Sequence, residues 1–513
     1  MFDAGRILLS AAARDPKALA LVDGDRRLTY AEWLDEILRI VAGFDLMSLK
    51  PGDRLLTILR NRGEAATLHW AAQIAGVVIV PVNWRANAGE VDIFCENAEP
   101  KAIAFEGVSA EAVSGSKFAQ RLARLVIGAS SGGATYRYED LVSNPCAQPR
   151  SRATAEDVSV MFYTSGTTGR GKGVPRRHRA ERAAAIAHVA QNTYRRGEVT
   201  LGVMPLYHTM GVRSLLAMAF VNGIFVCQPR FEAGAALDLI ERNRVSCLYL
   251  VPTLYHDLIV HPRFSVTDRS SVRKIGFAGA SMTDGLLKRI DAAFEPDLFV
   301  NHYGSSEVYT FTIDQNSPAK PGSAGKAGFN TDIRVVKLGS ADPGDTVGMG
   351  EEGQVIAALD GDEAFEGYWR RPDADAKSLH KDASGTGWYF TGDIGFFDGD
   401  GDLFVTGRVD DMIITGGENV LPVEIESVLS LHAAVGEVAV AGLPDERWGQ
   451  RITAFVRRCA PVTAGELDAH FRASDLANFK RPRDYVFVAE IPKSPVGKIL
   501  RRMLVAGEFQ KIE

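Results

Sequence analysis

The stretch YTSGTTGRGKG, Tyr163 to Gly173, concentrates groups that bind phosphate. Thr164, Ser165, Thr167 and Thr168 carry hydroxyls, while Gly166, Gly169, Gly171 and Gly173 let backbone N–H groups approach an anion. Arg170 and Lys172 add positive charge. The stretch nearly fits the P-loop pattern of glycine, four residues, glycine, lysine, then serine or threonine. Gly173 stands where that pattern needs a hydroxyl to ligate a metal. The pattern also needs a helix whose N-terminus faces the phosphates. GVPRRHR opens a helix poorly, because glycine is entropically costly and Pro175 biases Val174 away from the helical region. Two readings stand at this point: a phosphate-holding loop other than the P-loop of an NTPase, and a flexible surface loop.

Other polar islands follow apolar runs. NHYGSSE, Asn301 to Glu307, follows DLFV, and TGD, Thr391 to Asp393, ends an aromatic run. GRVDDMIITGGENVLPVEIE begins at Gly407, and PKSPVGKILRR lies close to Glu513. Ligands gather at strand C-termini in α/β sheets. Each island alone has a plain alternative: Asp393 as a turn residue, Glu307 as a carboxylate at a helix start, Lys498 as a solvated charge. DGDGDLF, Asp398 to Phe404, suggests a calcium loop, but Leu403 stands where an EF-hand needs glycine, so a hairpin turn is expected.

The elements that must hold these islands alternate. Residues 28–49 read as a short strand and a helix, with Leu34, Ile37, Leu38 and Val41 at helical spacing. DRLLTIL, VVIVPVN, AIAFE, DVSVMFYT, CLYLVPT, KIGFAGA and DLFVNHYG read as buried strands, separated in places by helices such as DGLLKRIDAAF. Continuous apolar strands alternating with helices predict α/β architecture with largely parallel sheets. After about residue 320, DIRVVKL, GQVIAAL, GWYFTGDIGFFD and DLFVTGRV predict a β-rich subdomain. From about residue 411 a small α/β unit begins.

The chain has 513 residues, 46% hydrophobic and 24% charged, as in soluble globular proteins of two to four domains. A net charge of −6 gives no case for a general nucleic-acid binder, and the run Arg176, Arg177, His178, Arg179 reads as a solvated face. The five cysteines lack metal or disulfide spacing, which fits a reducing cytosol, so a cytoplasmic location is expected. No apolar run is long enough for a membrane span.

Taken together and in this order, the islands resemble those of the acyl-adenylate-forming enzymes: acyl-CoA synthetases, firefly luciferase and the adenylation domains of peptide synthetases. The similarity runs from about Leu28 to Leu504, with Gly171 in place of the family's usual proline before Lys172. It implies a large N-terminal domain of parallel-rich sheets and helices, residues 1–409. A small mobile C-terminal α/β domain, residues 410–513, would turn about a hinge at Asp410. It also implies ATP, Mg²⁺ and coenzyme A as co-substrates and cofactor. Thr164, Ser165, Gly166, Thr167, Thr168, Gly169 and Lys172 would hold the ATP phosphates. Tyr303 and Gly304 would line the adenine site, Ser306 would meet the α-phosphate, and Glu307 would hold Mg²⁺. Asp393 would accept the ribose hydroxyls, with Arg408 reaching the nucleotide. Lys498, Glu307, His208 and Thr164 are the implied catalytic set.

Within the superfamily the sequence is most similar to bacterial 4-chlorobenzoate and benzoate-type CoA ligases, through MPLYHTMG, FAGASM, GRVDDMIITGGEN, DERWGQRITAFV and SDLANFKRPRDY. That similarity implies coenzyme A contacts at Arg85, Gly416, Gly417, Trp448, Phe479, Arg481 and Arg483. No carrier-protein segment precedes Glu513, which also favours coenzyme A as the thiol. The implied acid pocket takes Ala187, His208, Thr209, Met210 and Tyr249 from one half of the large domain. Ala280, His302, Gly304, Tyr309 and Thr310 supply the rest. Its polar members suit a benzoate, hydroxybenzoate or furoate-type acid. A medium-chain or branched acyl-CoA synthetase is the alternative of the same class, and a P-loop-like NTPase or nucleotide-binding regulator the alternative of another. The expected partner is a small carboxylic acid, with no nucleic acid, and a homodimer is the candidate assembly.

Overall fold

The computed structural model describes residues 2–129, 133–164, 171–493 and 499–512. Two large sheets and a small one organise the chain. The first sheet has seven strands, ordered Tyr136–Arg137, Ala123–Ile127, Ala102–Glu106, Arg54–Ile58, Val78–Pro81, Val158–Thr164 and Lys172–Arg177. All of its pairings are parallel except the last. Its strands are apolar on both faces because helices cover both, as in helix Gly63–Ala75, which is buried almost all round.

The second sheet has a parallel centre: Ile224–Cys227, Val199–Gly202, Cys247–Leu250, Lys274–Phe277 and Leu298–Tyr303. Beyond Leu298–Tyr303 pairing becomes antiparallel through Thr312–Asp314 and Ser323–Ala327 into the β-rich strands Leu403–Arg408, Gly387–Phe397, Gly353–Ala358 and Ile333–Val336. The expected β-rich region therefore continues this sheet. A third, five-stranded sheet between Ile413 and Phe487 packs against helices Pro422–Ser430 and Ala464–Arg472. It forms the small C-terminal α/β part. The exposed turn Val409–Asp411 leads into it.

Two local expectations are settled here. Asp398 to Asp402 form a hairpin between Gly387–Phe397 and Leu403–Arg408, with Phe397 opposite Leu403. The three aspartates could group around a cation, but the Lys320 ammonium sits among them, bonded to Asp398, Asp400 and Asp402. The basic run is not a solvated face. Arg176 and His178 are fully buried, while Arg177 and Arg179 pair with Glu366 at the surface. KGVPRR is a strand, so alternate side chains point inward, and the buried Arg176 pairs there with Glu181 of the following helix. Pro175 is tolerated because that strand lies at the sheet edge.

Candidate active site

The strands that flank the opening stretch pair antiparallel. Thr164 ends one strand and pairs with Lys172, which begins the next. A P-loop requires strand, loop, helix; here strand follows strand, so the P-loop NTPase reading is excluded by topology. The Thr164 hydroxyl is buried and meets no partner among the described residues. Such an orphaned oxygen is unfavourable unless a ligand completes it.

The segment Phe365–Trp369 straps this strand pair to the turn after Leu298–Tyr303. Phe365 N donates to Glu307 O at 2.8 Å and Trp369 N to Gly173 O at 2.8 Å. Buried Arg176 adds two more ties, its Nη1 donating to Ser306 O and Glu307 O, both at 3.1 Å. Between them lies Tyr368. Its hydroxyl donates to Glu307 Oε1 at 2.7 Å, and the Lys172 ammonium lies 4.0 Å from its ring centre. Burial pulls the Lys172 pKa down, and the Glu307 charge opposes that pull. A buried carboxylate and an unpaired hydroxyl are oxygen donors of the kind Mg²⁺ takes.

A second group joins the same turn through Tyr303. The Tyr303 hydroxyl donates to Asp393 Oδ2 at 2.6 Å, and Arg408 Nη1 lies 2.9 Å from Asp393 Oδ1. Asp393 and Arg408 face each other on paired strands, so Asp393 is a strand residue rather than a turn residue. Gly304 follows Tyr303, and a Cβ there would lie 1.8 Å from Tyr309 O. Only glycine permits the chain to fold back so tightly, with Ser306 and Glu307 at the bend.

The acid-pocket residues converge on the next layer. His302 and Tyr249 stand on parallel strands either side of Lys274–Phe277, where Gly276 lies opposite Tyr249, with ring centres 5.1 Å apart, and the Tyr309 hydroxyl reaches Tyr249 at 3.3 Å. Ala187 is buried on helix His178–Gln191, beside His188. Thr209 and Met210 are buried at the start of helix Thr209–Phe220, capped by His208 Nδ1, which accepts from Met210 N at 3.3 Å. Met210 borders Gly279, next to half-buried Ala280. Thr310 N donates to Glu363 at 3.1 Å, while the Thr310 hydroxyl is unpaired.

Residues that sequence reasoning missed complete this layer. His188 and Asn192 bind Tyr309 and His302. Glu181 pairs with both Arg176 and Arg213, all fully buried, and the Arg213 guanidinium lies 4.9 Å from the Tyr309 ring centre. One signal was available. HRAERAAAIAHVAQ has no apolar stripe, yet Glu181, Ala184, Ala185, His188 and Gln191 fall at helical spacing.

The implied coenzyme A residues are only partly assembled. Gly416, in a left-handed conformation at φ +61°, packs under Trp448 and donates its N–H to Trp448 O at 2.9 Å. Gly417 follows it at φ +88°. The Arg483 guanidinium lies 6.0 Å from the Trp448 ring centre. Phe479 is exposed beside Lys480, and Arg481 is held by Asp468. Arg85 stacks on Trp84 at 3.9 Å, near Tyr207. Ser165, Gly166, Thr167, Thr168, Gly169 and Lys498 lie outside the described residues.

Comparison with known proteins agrees with this geometry. Residues 8–369 match the AMP-binding enzyme family and residues 424–498 the AMP-binding enzyme C-terminal domain. The chain is 32% identical over 500 residues to a 4-chlorobenzoate–CoA ligase of Arthrobacter sp., across 96% of this chain and 93% of that protein. It is 31% identical over 512 residues to the long-chain-fatty-acid–CoA ligase FadD13 of Mycobacterium tuberculosis, across 98% of each. The fold superposes on the anthranilate CoA ligase AuaEII in complex with anthranoyl-AMP with a TM-score of 0.89 and 25% identity, covering 99% of this chain and 97% of that one. The chain belongs to the AMP-binding enzyme family. It is an enzyme of the acid–thiol ligase class. Among the described residues no helix is long and apolar enough to cross a membrane, and all five cysteines are free.

Proposed function

We propose that the enzyme joins a small aromatic or heteroaromatic carboxylic acid to coenzyme A, using ATP and passing through an acyl-AMP. A carboxylate does not react with a thiol. Attack of its oxygen on the α-phosphorus of ATP expels pyrophosphate and gives a mixed anhydride with a good leaving group. The coenzyme A thiol then attacks the acyl carbon, and AMP departs.

The observation that carries this reading is that one turn, Tyr303–Tyr309, is tied to all three groups. Glu307 meets Tyr368, whose ring faces Lys172; Tyr303 meets Asp393 and through it Arg408; Tyr309 meets His188 and Tyr249. The turn follows the C-terminal end of Leu298–Tyr303, which pairs in parallel with Lys274–Phe277, and ligands of α/β sheets gather at such ends. Glu307 would hold Mg²⁺, which offsets phosphate charge as a Lewis acid. Asp393, already oriented by Tyr303 and Arg408, would accept ribose hydroxyls. Lys172 and the stretch before it would neutralise the phosphates, and Lys498 would bridge the acid and ATP as charge develops.

Two steps need two sets of lining groups. A turn of residues 410–513 about Asp410 would withdraw Lys498 and bring Gly416, Gly417 and Trp448 to the acyl group. The polar layer of His302, Tyr249 and Tyr309 disfavours an alkyl chain, because a buried polar atom facing a methylene goes unpaired. The testing experiment is a panel of aromatic and aliphatic acids with ATP, Mg²⁺ and coenzyme A, scored for AMP and thioester. Aromatic acids should give the highest kcat/KM. Preference for medium-chain alkyl acids would replace the aromatic reading.

A further inference from the structure

We propose that the buried His188–Asn192–His302 cluster reads a hydrogen-bond acceptor on the ring of the acid, so that the preferred substrates carry an uncharged ring oxygen, ring nitrogen or hydroxyl. This rests on the ligase reading above and narrows its substrate class.

The Asn192 amide Nδ2 lies 2.8 Å from the His188 carbonyl oxygen, which can only accept. That fixes the amide orientation. The same Nδ2 lies 2.9 Å from His302 Nε2, nearer than to His188 Nδ1 at 3.3 Å, so its second hydrogen points at the His302 nitrogen. Asn192 Oδ1 is farther from His302 Nε2, at 3.2 Å; the shorter contact makes Nε2 the acceptor, and the neutral ring then carries its proton on Nδ1. Nδ1 is buried and meets no partner among the described residues, and the whole side chain is 5% exposed. Among the described residues an oriented N–H donor is thus left without an acceptor beside Tyr249, whose hydroxyl meets that of Tyr309.

His188 repeats the pattern. Its Nδ1 is 3.1 Å from the Tyr309 hydroxyl, its ring centre is 5.1 Å from that of His302, and its Nε2 has no partner among the described residues. Whichever of the two shares the Tyr309 proton, Nε2 remains open as donor or acceptor. A buried polar atom left without a partner costs on the order of 1–3 kcal/mol, so two on adjacent rings are best explained by a substrate that completes them. Burial pushes His302 down to about 3 and His188 well below the ordinary histidine range, so both rings are neutral and suit an uncharged group. The nearby Arg213 charge is taken up by Glu181.

The test compares shape-matched acids on the unmodified enzyme: furan-2-carboxylate against thiophene-2-carboxylate, and each hydroxybenzoate against the fluorobenzoate of the same position. At least one acceptor acid should exceed its match in kcat/KM by about tenfold or more, since a site built to bond a polar atom discriminates far better than one that only fits volume. His302→Ile and Asn192→Leu should each bring that ratio to within about threefold while the apolar acid still reacts. Ratios within threefold for every pair on the unmodified enzyme would overturn the proposal and leave the ligase reading standing. Equal losses for both members in the variants would also overturn it. Thioesters formed only from aliphatic acids would remove the aromatic reading and this one together.

Discussion

The Tyr368 hydroxyl donates to Glu307 Oε1 at 2.7 Å, and the same ring carries the Lys172 ammonium 4.0 Å from its centre. One side chain thus positions a carboxylate suited to Mg²⁺ and a lysine suited to phosphate. Burial and the Glu307 charge raise the pKa of Tyr368 far above the ordinary phenol range, so it stays a donor at any working pH.

Tyr368→Phe keeps the ring face for Lys172 and removes the hydrogen bond to Glu307. A hydrogen bond to a charged group contributes about 1.5–3 kcal/mol. The Mg²⁺ concentration for half-maximal activity should therefore rise roughly tenfold or more, with the KM for ATP nearly unchanged. Mn²⁺ binding followed by electron paramagnetic resonance should weaken in parallel. Tyr368→Leu should also raise the KM for ATP, because the cation–π contact goes too. An unaltered metal dependence in Tyr368→Phe would remove Tyr368 from this role.

Asp393 is held by Tyr303 and Arg408, so its carboxylate is oriented before any nucleotide arrives. Asp393→Asn should weaken ATP and AMP binding by about tenfold in calorimetry, since an amide offers one acceptor oxygen in place of two. The KM for the acid should hardly move. Parallel loss of nucleotide and acid affinity would mean that Asp393 supports the fold of the site and not the ribose.

Acid should destabilise the fold through its buried histidines. Burial holds His302 down to about 3 and His69 to about 4, and His188 well below its ordinary value. In the unfolded chain each would titrate near pH ~6.5. The folded state binds fewer protons, so the stability gained from neutral rings is complete above that pH and is lost as pH falls toward the folded values. The slope is about 1.4 kcal/mol per pH unit for each histidine. The Tm should fall between pH 7 and 5, and His302→Ile should show a shallower fall, by about one proton. Identical slopes in both proteins would contradict a neutral buried His302.

Much of this was legible in the sequence, for identifiable reasons. DVSVMFYT, KIGFAGA and DLFVNHYG are largely apolar on both faces, and each forms a mostly buried strand with at least one parallel neighbour. Thr164, Glu307 and Asp393 stand out because polar residues directly follow or interrupt such runs. KGVPRR was harder, since proline and arginine argue against a strand. Its burial depends on Glu181 and Arg213, which come from two later helices. His188, Asn192 and Tyr368 escaped notice for the same reason. Each is defined by a partner distant in sequence, and local periodicity cannot report such a contact.

The two-step mechanism separates Lys498 from Asp410 experimentally. Lys498→Ala should reduce acyl-AMP formation by about 10²-fold or more, the loss typical of one charge-stabilising donor. Transfer from preformed acyl-AMP to coenzyme A should suffer far less. Asp410→Pro fixes φ at the exposed turn before the small domain. It should adenylate but transfer poorly. Equal losses in both half-reactions for Lys498→Ala, or unchanged turnover for Asp410→Pro, would contradict domain alternation about this hinge.

In the proposed reaction the acid's own oxygen attacks the α-phosphorus of ATP. The most direct measurement uses an acid carrying ¹⁸O in both carboxylate oxygens, turned over once with ATP, Mg²⁺ and coenzyme A, with the products weighed by mass spectrometry. One ¹⁸O should appear in the phosphate of AMP and the other in the thioester carbonyl, with pyrophosphate unlabelled. Label in inorganic phosphate alongside ADP, or AMP without label, would contradict acyl-AMP formation.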